Sequence, residues 1–243
     1  MKPLERVALI GNHLPRRCGI ATFTHDLDRA VSTASPHLET CVVAMNDPGG
    51  TYDYPAAVRF QIDDEMLDGY ARAADFLNTR RFDVVSLQHE YGIFGGDAGG
   101  HIIELLKRLT MPVVTTLHTV LPEPTPAQRN VMDKIIARST KVVVMAEKGR
   151  DLLRSVHDVS PHKIEVVAHG IPDFPFLETS HAKAKFGFSG KKVILTFGLL
   201  SPSKGIETMI DAMNRFCSRS TRGNSFRSEI AARRLSWTRA GCC

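Results

Sequence analysis

Histidine, carboxylate, lysine and glycine residues recur where short apolar segments of this 243-residue chain end. After one such segment, HEYGIFGGDAGG over residues 89–100 places His89 and Glu90 beside five glycines, including Gly95 and Gly96. Glycine allows the backbone to approach a ligand closely and to present N–H donors to it. We therefore interpret these four residues as parts of a ligand-binding loop, with a flexible surface loop as the alternative.

A second candidate is the segment GNHLPRRCGIATF, residues 11–23, which follows the first apolar run. Its loop leads to a predicted helix N-terminus at Gly19. Free N–H groups and the positive end of the helix dipole make such a position suitable for phosphate. The loop does not match G-x-G-x-x-G, which argues against an oxidoreductase that binds a nicotinamide dinucleotide.

Two further residues could act on a ligand. His118 follows the apolar residues VVTTL, where it could hydrogen-bond a ligand hydroxyl or stabilise developing charge near neutral pH. A purely structural hydrogen bond is the alternative. Lys204 follows Gly198 in GLLSPSKGIE and stands at a predicted helix start, where lysine opposes the dipole. An anionic ligand would offset that cost, and a solvated lysine is the alternative.

The elements that must position these residues alternate along the chain. Several apolar segments are continuous, which is typical of strands covered on both faces of a parallel sheet. Helical periodicity separates most of them, so the pattern predicts a doubly wound α/β fold and leaves the strand order open. The predicted strands are residues 6–11, 39–45, 58–62, 82–89, 111–118, 140–146, 163–169 and 191–198, and the helices between them are 19–33, 98–109 and 126–139.

The domain organisation follows from a change in pattern after His169. Prolines, glycines and weak periodicity indicate a linker over residues 173–190, so residues 1–172 form the predicted first domain. Residues 191–213 predict only the first strand and helix of a second domain. One helical face of that unit carries Ile206, Met209, Ile210 and Met213.

The net charge of +5 is unevenly distributed. Residues 214–243 hold seven arginines and one glutamate, giving +6, so residues 1–213 carry −1. The basic character therefore does not indicate a nucleic-acid partner for the body of the protein. The tail is rich in arginine and serine, contains no lysine and begins inside a helical pattern. It predicts a disordered extension or the product of a shifted reading frame, and nucleic-acid binding through the arginines is the alternative.

The cysteines of the body, Cys18 and Cys41, form no C-x-x-C pair and have no metal-ligand spacing. This suits a reducing compartment. There is no apolar segment of signal-peptide type, and no run approaches the roughly 20 apolar residues that span a bilayer. These features predict a cytoplasmic protein without a metal site.

Taken together, five segments resemble successive landmarks of the family 4 retaining glycosyltransferases of the GT-B fold. The resemblance extends over residues 6–213 and implies two Rossmann-like domains that face a cleft. The first would mainly hold the acceptor and the second mainly a nucleotide-sugar donor. The segments are GNHLPRRCGIATF, QHEYGIFGG, VTTLHT, VVAHGI and TFGLLSPSKGIETMIDAM.

The resemblance also implies residue roles. Gly19 matches a glycine whose backbone approaches the donor diphosphate and the transferred sugar. His118 matches a histidine that contacts the donor sugar and matters for turnover, which makes it the catalytic candidate. Lys204 matches a lysine that neutralises the leaving diphosphate, close to Gly198 at the preceding strand end. The 89–100 loop would then contact acceptor or sugar.

The implied activity is transfer of a hexosyl group from a nucleoside-diphosphate sugar to a hydroxyl, with retention, in polysaccharide biosynthesis. No further cofactor and no metal are implied, and the acceptor would be a saccharide or lipid-linked, with peripheral contact at the inner membrane face. Two departures from the family are Leu199, where arginine is frequent, and the lack of Glu-x7-Glu after Met213. They predict a truncated donor domain and impaired transfer. A non-catalytic module that binds saccharide or nucleotide is the alternative.

Overall fold

The computed structural model describes residues 3–171, 173–195 and 205–220. The chain divides into two compact units, of which the first ends at Gly170 and the second begins at Ile171. The first unit contains the sheet and every candidate site residue that the structure describes.

Seven parallel strands form one sheet in the order β3-β2-β1-β4-β5-β6-β7. The sequence order turns back at β1, so the chain builds outward on one side of the sheet and then on the other. This confirms the predicted doubly wound α/β fold of Rossmann type and establishes its strand order. The strands are β1 (Arg6–Gly11), β2 (Glu39–Asn46), β3 (Val58–Asp63), β4 (Val84–His89), β5 (Val113–Leu117), β6 (Lys141–Val144) and β7 (Ile164–Val166).

Five α-helices connect these strands. The sequence pattern predicts the first and fourth within one residue of their observed ends. The second and fifth helices were not predicted from the sequence. The predicted helix over 98–109 begins only at Ile102, because Ala98 and Gly99 have positive φ angles and form a short 3₁₀ turn. The helices are α1 (Gly19–Ala34), α2 (Leu67–Thr79), α3 (Ile102–Arg108), α4 (Pro126–Arg138) and α5 (Glu147–His157).

The helices cover both faces of the sheet, as the alternation along β1 makes visible. Ala8 and Ile10 pack in the largest core cluster, together with residues of α2 and α3 such as Tyr70 and Leu105. Their neighbours Val7 and Leu9 lie on the opposite face, where Leu27 of α1 packs against them. Each large apolar side chain buried in this way contributes roughly 1.5–3 kcal/mol to folding. The sheet is therefore a rigid base for the loops at its carboxyl edge.

The second unit contains two helices in its described part, α6 (Thr179–Lys185) and α7 (Ile206–Ser220). The helix predicted around Ile206–Met213 is confirmed, but two residues of its apolar face are exposed, Met209 at 38% and Ile210 at 48%. Residues 191–195 have no strand structure, so the strand predicted there is wrong over its described part. A strand requires hydrogen bonds to a neighbour, and these residues are not part of the seven-stranded sheet.

Candidate functional site

The candidate site lies at the carboxyl edge of the sheet, where the strand order turns back between β1 and β4. In open α/β sheets this topological switch point opens a crevice between the outgoing loops. The segment after β1 leads into α1, the segment after β4 contains the glycine-rich loop, and His118 directly follows β5. The fold thus brings three of the four candidate segments to one edge.

The N-terminus of α1 is open on the side of Gly19. Cys18 caps the helix from an extended conformation, and its Sγ accepts a hydrogen bond from the Ala21 backbone N–H at 3.3 Å. No acidic residue occupies the first turn, so no carboxylate of that turn competes for the positive end of the helix. A Cβ added at Gly19 would have no heavy atom within 4 Å among the described residues. The protein's own described packing therefore does not require glycine at this position.

The loop before α1 is held in place by the buried side chain of Arg16. Its guanidinium donates to Asn12 Oδ1 at 2.8 Å and to the Met45 carbonyl at 3.2 Å. A third contact is the ion pair with Asp47 Oδ1, at 2.5 Å. Arg16 thus ties the end of β1 to the end of β2. Its charge is already matched within the protein, which fixes the geometry of the loop that leads to Gly19.

His118 lies beside the end of β4. Its backbone N–H donates to the His89 carbonyl at 3.0 Å, which continues the strand pairing by one residue. Its ring Nε2 lies 3.2 Å from Gln88 Oε1. Burial, and secondarily the neighbouring His169, lowers the pKa of His118 to about 4. The imidazole is therefore neutral near pH 7, so it can form hydrogen bonds but does not supply positive charge.

Phe23 connects α1 to two histidines. Its ring centroid lies 4.7 Å from that of His118 and 5.3 Å from that of His169, both edge to face. Aromatic pairs at these distances favour this arrangement. The second turn of α1 and His118 are therefore parts of one packed group. The predictions for the site did not include Phe23, Gln88 or His169, although Gln88 is the last but one residue and His169 the last residue of a predicted strand.

His89 is the last residue of β4 and is fully buried. Its ring packs against those of Tyr91 and Phe94, with centroid distances of 5.1 and 5.9 Å. Neither ring nitrogen has a hydrogen-bond partner among the described residues. Burial, and then the proximity of His118, lowers the pKa of His89 to about 3. A saccharide could contact this ring only after the loop rearranges.

Glu90, the next residue, is half-buried, and both of its carboxylate oxygens accept hydrogen bonds. Its Oε1 accepts from the Tyr91 backbone N–H at 3.0 Å and its Oε2 from Thr119 Oγ1 at 2.5 Å. The carboxylate thereby joins the segment after β4 to the segment after β5. These contacts give Glu90 a structural role, and saccharide contact by Glu90 stays a prediction.

Gly95 and Gly96 pack against other parts of the chain. A Cβ at Gly95 would lie 1.9 Å from the Asp64 carbonyl oxygen, which is far inside contact distance. A Cβ at Gly96 would lie 2.5 Å from Cδ2 of His101, and φ of Gly96 is +77°. Close packing thus explains both glycines without a ligand. Their predicted role in substrate binding stays a prediction.

The remaining predictions concern other parts of the chain. Gly198 and Lys204 lie outside the described residues. Within residues 3–171, 173–195 and 205–220, no group of three or more histidine, cysteine, aspartate or glutamate side chains could hold a metal ion. Over the same residues, no helix is both long and apolar enough to cross a membrane.

The comparisons with known proteins agree with this architecture. A search of curated proteins finds no match to the chain. Residues 18–173 match the protein family described as Glycosyltransferase Family 4. The match begins at the residue that caps α1 and extends past β7, so it contains Gly19, the 89–100 loop and His118. Because it spans more than half of the 243 residues, this chain belongs to Glycosyltransferase Family 4.

Proposed function

We propose that this chain acts in the transfer of a hexosyl group from a nucleoside-diphosphate sugar to a hydroxyl of an acceptor, with retention at the anomeric carbon. The observation that supports this best is the contact between Phe23 and His118, which brings the start of α1 and a neutral histidine to one edge of the sheet. A nucleoside-diphosphate sugar needs both: N–H donors for its diphosphate and a hydrogen-bond partner for the hydroxyls of its sugar.

The N-terminus of α1 would hold the diphosphate. In the reaction, the bond between the anomeric carbon and the diphosphate oxygen breaks, and its electron pair stays on the diphosphate. Backbone N–H groups and a helix dipole stabilise the charge that develops there. The open space beside Gly19 allows a close approach of phosphate oxygens to the backbone. From the sequence pattern, we also propose that Lys204 and Gly198 bind diphosphate.

His118 would contact the sugar. Because burial keeps its imidazole neutral, we assign it a hydrogen bond to a sugar hydroxyl rather than a share in neutralising the diphosphate. The acceptor hydroxyl oxygen forms the new bond to the anomeric carbon, its proton passes to the departing diphosphate or to solvent, and the nucleoside diphosphate is the second product. We further propose that the acceptor is a saccharide or lipid-linked, that the reaction serves polysaccharide biosynthesis, and that it takes place in the cytoplasm or at the inner membrane face.

A transfer assay with the whole chain tests this proposal. Nucleoside-diphosphate hexoses labelled in the sugar are combined with free saccharides or with polyprenyl-phosphate-linked saccharides as acceptors. We expect a labelled product whose anomeric configuration equals that of the donor, and we expect loss of this product in His118→Gln. His37→Gln, which changes an exposed histidine, is the matched control.

Calorimetric titration with the same compounds separates the remaining outcomes. Saccharide or nucleotide binding without transfer would favour the alternative, a non-catalytic binding module. The absence of both binding and transfer over the whole panel would contradict the proposed function.

A further inference from the structure

Gln88 is a fully buried polar side chain at the switch point, and the proposed transfer reaction does not involve it directly. It precedes the last residue of β4. Gly11, at the end of β1, leaves room for it, since a Cβ on Gly11 would lie 3.0 Å from Gln88 Cβ. A buried carboxamide is costly unless its nitrogen and oxygen both find partners. Those partners identify what Gln88 does.

The carboxamide lies between Ser86 and His118. Gln88 Nε2 donates to Ser86 Oγ at 3.0 Å, and Oε1 faces His118. A carboxamide oxygen accepts hydrogen bonds and cannot donate them. The 3.2 Å contact to His118 Nε2 therefore requires the proton to lie on Nε2. In the neutral imidazole the other nitrogen, Nδ1, then carries the lone pair and is an acceptor.

The other groups around His118 support a neutral ring. His169 faces it across Phe23, and His89 lies on the neighbouring strand with a low pKa of its own. Glu90, which directly follows His89, has its two carboxylate oxygens engaged by the Tyr91 N–H and the Thr119 hydroxyl. Among the described contacts of the His118 ring, Gln88 is thus the partner that selects the tautomer.

We propose that Gln88 is a positioning residue that fixes His118 as the Nε2–H tautomer, so that Nδ1 accepts a hydrogen bond from one hydroxyl of the transferred sugar. This inference rests on the proposed function, because it assigns the direction of the contact between His118 and the sugar. It predicts specificity, since a sugar that lacks the donating hydroxyl leaves Nδ1 without its partner.

The first test reads the tautomer without any ligand. Histidine-selective ¹⁵N labelling of the full chain, with the His118 signals assigned from His118→Gln, gives the shifts of both ring nitrogens. We expect the Nε2–H form in the wild type and a measurable share of the Nδ1–H form in Gln88→Leu, which has no acceptor. Gln88→Glu keeps an acceptor, so we expect it to keep the Nε2–H form while its charge raises the pKa of His118 by about one unit or more.

A matched control is Thr116→Val, which changes a buried polar residue that pairs with Gln88 in the sheet. It should leave the His118 shifts as in the wild type. An Nδ1–H form in the wild type would mean that the carboxamide is reversed, and would overturn the proposal. So would identical His118 shifts and an identical His118 pKa in the wild type, Gln88→Leu and Gln88→Glu. Gln88→Glu has nearly the volume of the native side chain, so it serves if the leucine variant does not fold.

The second test uses nucleoside-diphosphate glucose and its 2-, 3-, 4- and 6-deoxy analogues. We expect one deoxy analogue to bind the wild type about tenfold or more weakly than the parent, and this difference to shrink in Gln88→Leu. Tautomers as expected, with binding of all analogues equal to the parent, would overturn the sugar contact while leaving the role of Gln88 within the protein. If none of these compounds binds, whichever tautomer His118 adopts, the result would instead contradict the proposed function.

Discussion

Two glycine-bearing loops reach the same edge of the sheet, and their glycines are there for different reasons. At Gly19, after β1, a Cβ would have open space around it in the described structure. At Gly95, after β4, a Cβ would lie 1.9 Å from the Asp64 carbonyl oxygen. The first position leaves space that the described residues do not fill, while the second is filled by Asp64 and His101. A glycine points to a ligand only where the chain's own packing does not explain it.

The largest effect should follow from Gly95→Ala. The added methyl group overlaps backbone atoms of Asp64 and approaches Nδ1 of His101 to 2.8 Å, so the loop must move away from its support. We expect a loss of about 3 kcal/mol or more in the free energy of unfolding, as for severe overpacking. Urea unfolding followed by circular dichroism measures it.

Gly19→Ala is the matched control for stability. The new methyl group meets no described atom and lies in the first position of a helix, where alanine is the better helix former. We expect its free energy of unfolding to stay within about 0.5 kcal/mol of the wild type. Equal destabilisation of the two variants would remove the distinction between the loops.

Gly19→Ala should instead weaken ligand binding. A methyl group at the N-terminus of α1 obstructs the approach of phosphate oxygens to the backbone N–H groups. We expect the dissociation constant for nucleoside-diphosphate glucose to rise about tenfold or more, which corresponds to about 1.4 kcal/mol. Isothermal titration of the variant and the wild type measures this, and unchanged affinity would remove Gly19 from the proposed site.

His89→Phe tests whether the segment after β4 has a structural role. The pKa of His89 is about 3 in the folded chain and takes its ordinary value of 6.5 on unfolding. Between pH 3 and pH 6.5, the unfolded chain therefore binds a proton at His89 that the folded chain does not. Through this residue, stability therefore falls as pH decreases below 6.5, by up to about 1.4 kcal/mol per pH unit. The variant should lose this pH dependence of stability. At pH 7.5 it should be no less stable than the wild type, because it removes two buried nitrogens that have no partner among the described residues.

Urea unfolding at pH 7.5 and pH 5 measures the slope. His37→Phe, at an exposed position, should keep the wild-type slope. If His89→Phe instead loses ligand binding at pH 7.5 while it remains folded, His89 contacts the ligand, as the sequence pattern predicted.

The smallest effect concerns the support of the first loop. Asp47→Asn removes the negative partner of the buried Arg16 but keeps an oxygen that can accept a hydrogen bond. Asp47 is 39% exposed, so water offsets part of the loss, and we expect about 1 kcal/mol of destabilisation. Urea unfolding measures this loss. The control is Asp53→Asn, at an exposed position of the segment between β2 and β3 that also contains Asp47, and it should leave the free energy of unfolding unchanged. If Asp53→Asn destabilised the protein more than Asp47→Asn does, Arg16 would not organise the loop between β1 and α1.

Much of the fold could be predicted from the sequence because burial leaves a local signal. Strands covered on both faces appear as continuous apolar runs, as in β1 and β2, whereas the edge strand β3 alternates. All three are predicted within one residue of their observed ends. The same signal placed His118 and the loop at 89–100 at strand ends. It could not supply the strand order, which depends on which strands pair.

The remaining features depend on contacts between distant residues. The glycines at 95 and 96 resemble a ligand loop in sequence, yet their reason lies in Asp64 and His101, which only the folded chain brings beside them. Gln88 appears as one more residue of a strand until Ser86 and His118 are seen on either side of it. At 191–195 an apolar run predicted a strand, but the pattern cannot tell whether a pairing partner exists.

The most direct test of the proposed site is a map of amide and histidine shifts when millimolar nucleoside-diphosphate glucose is added to the ¹⁵N-labelled chain. Shift mapping detects binding even when the affinity is weak. We expect shift changes for the amides of residues 19–22 and for the His118 ring, and unchanged shifts for the amides of Gly95 and Gly96. Changes confined to the 92–100 loop, or no change at the start of α1 and at His118, would contradict it.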